Sequence, residues 1–313
     1  MSSYCKYNIS LWNLFFLLYV TSPLDAQDLD PRAYIWGPIK GNFVNVGFSY
    51  SNGGVLTDPS IPIEDLKAKV QTPSIGYLRS FNFFGKTAQA FMALPFSWAQ
   101  ATGVVVGQNE STNRSGFSDL RMRFSVLLRG APATTLENFS NRKQKTILGF
   151  SLNIISPTGQ YFPDKLINLG TNRWSFRPEF ALSHPLRRNL RLDVYTGLWL
   201  FTNNQNFYTG QVVRKQEPLA TLQTHISYDL NPKMWVALDG TYYYGGNSTL
   251  DGVYKDDRQS NLRVGATLVI PFLKRGSIRL AASTGAIVRS GADFDTFSIG
   301  WQTGWVDKPK LKK

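Results

Sequence analysis

The chain has 313 residues, with 34 lysines and arginines against 21 aspartates and glutamates, a formal net charge of +13 and one cysteine. Charged residues are only 18% and aromatic residues 14% of the total, whereas a water-soluble domain usually carries about 25% charged residues. The single Cys5 and two histidines exclude a disulfide scaffold, thiol catalysis and a Cys- or His-rich metal centre.

Residues 1–26 read as a secretory signal peptide. Lys6 gives a basic start, Leu11–Val20 an apolar run, and Thr21–Ala26 a short polar exit ending on a small residue. The run is too short for an ordinary transmembrane helix, and no later stretch approaches about 18 consecutive apolar residues. Residues 27–40 follow as a periplasmic N-terminal segment.

From Asn42 to Trp305 one pattern recurs: about ten residues alternating apolar and polar, then a break. Leu120, Met122, Phe124, Val126 and Leu128 alternate with Arg121, Arg123 and Ser125. Leu190, Leu192, Val194, Leu198 and Leu200 alternate with Arg191, Asp193 and Tyr195, and Leu262 to Ile270 and Ile278 to Val288 do the same. A period of two places each apolar set on one face of a strand. Strands of this length, strung together without helices, predict an all-β, up-and-down antiparallel transmembrane β-barrel over residues 41–305.

About twelve strands fit, at 41–51, 69–83, 87–99, 117–129, 145–156, 173–185, 190–202, 217–229, 233–244, 259–271, 277–289 and 295–305, with ten or fourteen as alternatives. Short breaks at Phe84–Lys86, Leu186–Asn189, Leu230–Lys233 and Phe272–Gly276 alternate with long polar ones at Asn52–Lys67, Gln100–Ser115, Pro157–Asn172, Asn203–Gln216 and Gly245–Asp257. Short periplasmic turns and long outer loops give this pattern, with both chain ends in the periplasm. Arg129–Gln144 is long where a turn belongs and is expected to hold a short helix or an inward-folded segment. Pro73, Pro95 and Pro178 fall inside strands and predict bulges, because each removes a ladder donor. Phe81, Phe83 and Phe84 at one end and Tyr242, Tyr243 and Tyr244 at the other are expected aromatic girdles, joined by Trp301 and Trp305 on the last strand. Residues 306–313 form a basic tail, in place of the terminal aromatic residue that often signals to the barrel-assembly machinery.

Four phrases carry a family resemblance. They are Leu29-Asp30-Pro31-Arg32-Ala33-Tyr34, Gly116-Phe117-Ser118-Asp119-Leu120, Ser156-Pro157-Thr158-Gly159-Gln160-Tyr161 and Asn168-Leu169-Gly170-Thr171-Asn172-Arg173-Trp174. In this order they resemble the outer-membrane family described by the MetA pathway of phenol degradation. The resemblance implies a transporter barrel for small aromatic or other hydrophobic compounds and brings no catalytic residues with it.

With the apolar sets on lipid, the opposite parity places Arg121, Arg123, Arg173, Arg177, Arg191, Arg263, Arg279 and Arg289 inside, together with Asp119, Glu179, Asp193 and Asp239. Tyr195, Trp199 and Phe201 share that parity. Such arginines brace the wall through carboxylates, or they set a positive field that favours anions; beside aromatics they suit a ring bearing a carboxylate. The reading that results is an outer-membrane channel for passive uptake of small organic solutes. Its partners are membrane lipid, lipopolysaccharide and the solute, with no cofactor and no nucleic acid. The rivals are a phospholipase-like barrel using His225 and Ser227, which share a strand face but lack an evident third residue, and a structural or adhesive barrel.

Overall fold

Alternation makes strands because every second side chain meets lipid while its neighbours meet the lumen. A computed structural model describes residues 29–56, 63–105, 107–139, 145–208, 211–273 and 276–307, so the expected signal peptide and the tail beyond Asp307 lie outside the described residues. The first strands are β1 (Gly41–Leu56), β2 (Ile63–Phe83), β3 (Lys86–Val105), β4 (Gln108–Phe117), β5 (Arg121–Arg129) and β6 (Ile147–Ile155). Then come β7 (Ser175–Arg187), β8 (Leu190–Phe201), β9 (Asn204–Phe207), β10 (Val212–Gln216), β11 (Leu219–Asn231) and β12 (Met234–Gly245). The last are β13 (Ser248–Leu250), β14 (Val253–Tyr254), β15 (Gln259–Phe272), β16 (Gly276–Ile287) and β17 (Gly291–Val306).

The main sheet orders β2-β1-β17-β16-β15-β12-β11-β8-β7-β6-β5-β3-β4 and closes through β2–β3 pairing. β4 and β5 pair with successive stretches of β3, Phe96–Val105 and Ala88–Ala93, and so form one broken stave. The result is a closed antiparallel barrel of twelve staves, as the alternation predicted. Closure leaves no open edge in lipid, where an unpaired backbone group would cost several kcal/mol.

The distribution of polarity is the reverse of a soluble protein's. Large apolar side chains face outward, with Leu238 70% and Phe180 61% exposed, while Arg177, Glu179, Ser151 and Thr241 are buried inside. Phe81, Phe83 and Phe124 cluster on the outside near the short turns, and Tyr242 stacks with Tyr244 near the long loops. Tyr243 departs from the expected girdle: alternation turns it inward, where it is 2% exposed.

Several expectations are corrected. No register shift falls at Pro73, whereas opposite Pro95 the neighbouring stave passes from β5 to β4 with a one-residue change of register, as expected there, and Pro178 stays in register with β6. Near the first two, a chain of hydroxyls runs from Thr72 to Ser97 (2.9 Å) and on to Ser118 (2.8 Å). The long breaks at Asn52–Lys67 and Gln100–Ser115 are largely strand, since β1 to β4 extend beyond the expected limits. Asn203–Gln216 and Gly245–Asp257 hold hairpins that pair as a separate four-stranded sheet, β14-β13-β10-β9. The connection after β5 contains one helical turn, α1 (Leu136–Phe139), as anticipated.

The segment before β1, read as periplasmic, folds into the barrel at its short-turn end. Tyr34 is 1% exposed and packs with Leu127, Ala131, Ile147, Ala181 and Tyr195 in an apolar cluster inside the barrel. Gly149 gives it room, because a Cβ there would overlap the Tyr34 ring. Trp36 holds the far end, donating to the Pro132 carbonyl (3.0 Å) and packing edge-on against Phe139 of α1.

Candidate pore lumen

The inward residues of β7 and β8 set the chemistry of one wall. Glu179 lies opposite Gly197, Arg177 and Trp199 stand two residues further toward the long loops on their strands, and Arg191, Asp193 and Tyr195 continue toward the short turns. β11 adds Gln223, His225 and Ser227, whose partners across the sheet are Tyr195, Asp193 and Arg191. So many buried polar groups require partners, since an unpaired buried charge is costly.

The N-terminal segment supplies many of them. The Asp30 carboxylate pairs with Arg123 (3.2 Å) and Arg279 (3.0 Å), and the Leu29 carbonyl accepts a second Arg279 donor (2.6 Å). Arg32 pairs with Asp229 (2.6 Å), donates through Nε to Ser227 (2.8 Å) and through its backbone N–H to Asp193 (3.1 Å). Its guanidinium also lies over Trp235 at 4.5 Å. These bonds hold Arg32 at φ 63°, a left-handed conformation that side-chain-bearing residues seldom adopt. The Tyr34 hydroxyl lies 2.7 Å from Ser151 Oγ and donates to Glu179 Oε1 (2.8 Å).

Beside this segment the lumen keeps a cavity of about 440 Å³. Arg121, Arg123, Arg177, Arg263, Arg279, Tyr195 and Trp199 all line it, as do Asp30 and Glu179. Arg263 is fixed by Ser283 (3.1 Å), Thr296 (2.5 Å) and the Phe294 carbonyl. Three of the expected arginines stand outside the cavity. Arg173, nearer the long loops, donates to Gln216 Oε1 (2.5 Å) and covers the Phe201 ring at 4.3 Å. Arg191, toward the short turns, donates to Ser183 Oγ (2.9 Å). Arg289 lies at the loops and pairs with Asp256 (2.7 Å).

Asp30, Arg32, Tyr34 and Gln223 belong to this lumen although parity did not assign them, and the first three stand in one of the four family phrases. The other three phrases meet at Asp119. Its Oδ1 accepts the Gly159 N–H (2.8 Å), and its Oδ2 accepts the Thr171 N–H (2.8 Å) and hydroxyl (2.7 Å). The residue that breaks the β4–β5 stave therefore anchors both ends of the long β6–β7 connection.

His225 and Ser227 do find a third neighbour in Asp239, whose Oδ1 lies 2.7 Å from His225 Nδ1 and whose Oδ2 accepts from Thr267 (2.8 Å). His225 Nε2, however, has no hydrogen-bond partner, the Ser227 hydroxyl is taken by Arg32, and both side chains are 0% exposed. A nucleophile must be bonded to its base and reachable by substrate. Neither holds here.

A family model described as "Putative MetA-pathway of phenol degradation" matches residues 47–299. Among solved structures, the COG4313 outer membrane channel from Pseudomonas putida F1 is 19% identical at a TM-score of 0.75, over 89% of this chain and 100% of that one. That likeness extends to the whole fold. The transport unit of the autotransporter AIDA-I from Escherichia coli matches at a lower score (8% identity, TM-score 0.49, 88% of this chain and 93% of that one). The same holds for the P. putida toluene transporter TodX (11% identity, TM-score 0.45, 86% and 91%). No curated protein matches in sequence.

Proposed function

The chain belongs to the "Putative MetA-pathway of phenol degradation" family, and from this premise we propose that it is an outer-membrane channel for passive uptake of small organic solutes, aromatic or hydrophobic ones, with a lumen that favours anions. The observation that carries this reading is the luminal cavity of about 440 Å³, lined by five arginines, two carboxylates and the aromatic residues Phe91, Tyr195 and Trp199. Its volume lies in the range of small-molecule sites, about 300–1,000 Å³. Arginines in excess over carboxylates on low-dielectric walls raise the local concentration of anions.

Both barrel ends, Gly41 and Val306, pair at the short-turn side, which supports that side facing the periplasm. The reading implies membrane lipid and lipopolysaccharide around the wall and the barrel-assembly machinery during insertion.

Replacing Arg121, Arg123 and Arg177 together by Gln tests it in a planar bilayer. The wild type should pass current with anions preferred, and the triple variant should move the reversal potential toward cation preference. No current from the folded wild type, or an unchanged reversal potential, refutes the reading.

A further inference from the structure

Arg177 is only 4% exposed, yet its guanidinium is poorly occupied. Its nearest carboxylate, Glu179, stands 3.4 Å from Nε, but that carboxylate already accepts from Tyr34 at Oε1 (2.8 Å) and from Gln223 at Oε2 (3.1 Å). Arg177 Nε and Nη1 make no hydrogen bond to the protein. A buried guanidinium with uncommitted donors is costly unless an anion or water meets them.

The position of this side chain is built into the wall. Gly197 leaves space for its stem, since a Cβ there would lie 3.1 Å from Arg177 Cγ. The guanidinium rests on the Trp199 ring at 4.9 Å. Trp199 and Phe201 are nearly parallel, 11° apart with centroids 6.4 Å from each other, and Trp199 joins Leu219 and Tyr243 in a luminal apolar cluster. Ile155, packed against that cluster, lines the same cavity as Arg177 and Trp199.

Charge and flat apolar surface therefore meet at one point. A small inorganic anion would satisfy the donors and leave the apolar wall wet; an uncharged ring would do the opposite. We propose that Arg177 and Trp199 form a binding subsite for planar aromatic monocarboxylates, the carboxylate on Arg177 and the ring against Trp199 and Ile155. This deepens the channel reading and rests on it for the idea that solute enters the lumen.

Calorimetry on the full-length protein in detergent, with benzoate, acetate and phenol as probes, tests the subsite apart from conduction. Benzoate should bind at least about tenfold tighter than acetate or phenol, which corresponds to about 1.4 kcal/mol. Arg177→Gln should weaken benzoate about tenfold and leave phenol unchanged; Trp199→Leu should weaken benzoate and leave acetate unchanged. Arg177→Lys, which keeps charge but loses the planar fork, should fall between wild type and Arg177→Gln. Heat-modifiable gel migration verifies that each variant is folded, and Trp199→Leu stands alone if Arg177→Gln is not. Equal affinity for acetate and benzoate, or benzoate affinity unmoved in the folded variants, overturns the proposal. Selective benzoate binding without bilayer current supports the subsite and defeats the channel reading, whereas current without that selectivity does the reverse.

Discussion

Along β7, β8 and β11 the inward side chains Arg177, Glu179, Asp193, Tyr195, Gln223 and His225 are all at most 4% exposed. Across the lumen, β1, β16 and β17 turn Gly47, Ser49, Ala281, Ser298 and Gly300 inward, and these are half-buried residues lining the cavity. The first wall is crowded with long polar side chains that need partners, and the N-terminal segment docks there to supply them. The second is smooth apart from Arg279 of β16, which Asp30 and the Leu29 carbonyl meet, and its small residues ask for nothing. Space in the lumen thus exists where the wall needs no pairing, and recognition groups exist where it does.

The sharpest way to break this comparison is to place a charge on the smooth wall in both directions. Ile299 is 42% exposed on the lipid face, while its neighbour Ser298 faces the cavity. Ile299→Arg should destabilise by roughly 2–4 kcal/mol, the cost of an arginine at mid-bilayer on a barrel exterior. Ser298→Arg should cost far less and narrow the conductance. Urea titration in lipid vesicles measures the difference, and equal losses would show the parity of β17 to be misassigned. Ser125 and Thr267, luminal by the same parity, suit this test poorly. Both are buried, and Thr267 donates to Asp239.

A smaller effect separates the walls themselves. Tyr34→Phe removes a buried hydroxyl between Glu179 and Ser151, and stranding such acceptors costs about 1–3 kcal/mol. Ser49→Ala, on the smooth wall, should stay within about 0.5 kcal/mol. Thermal melts of both variants should differ accordingly, and Tyr34→Phe should also widen the current as the segment loosens. Matching melts would deny the N-terminal segment its bracing role.

What could be read from the chain follows from how far apart the interacting residues lie. Alternation is local, so Leu120 to Leu128 reveals both its strand and its faces. The same parity placed Arg123 and Arg279 inside. It could not reveal that both meet Asp30, 93 and 249 residues away in sequence, because a segment without periodicity carries no signal of where it docks. Asp119, by contrast, stood in a recognisable phrase, and its eventual partners Gly159 and Thr171 stood in two others. The phrase was legible while its mechanical meaning, a carboxylate joining two connections, needed the third dimension. The β9–β10 and β13–β14 hairpins were hidden for another reason: short polar strands beyond the barrel have no lipid face to force alternation.

The smallest expected effect decides between conduction and catalysis. Ser227→Ala removes the acceptor of Arg32 Nε, but Arg32 keeps its ion pair with Asp229 and its place over Trp235. One neutral acceptor is worth about 0.5–1.5 kcal/mol net, so the barrel should fold, conduct and leave membrane lipid composition as the wild type does. An esterase would behave otherwise, because losing its nucleophile abolishes turnover while the fold stays intact. Lipid hydrolysis by the wild type that vanishes in Ser227→Ala would mean that the Arg32 cover opens and that His225, already oriented by Asp239, reaches the serine. Unchanged lipids in both proteins leave His225 and Asp239 as buried wall residues of a channel.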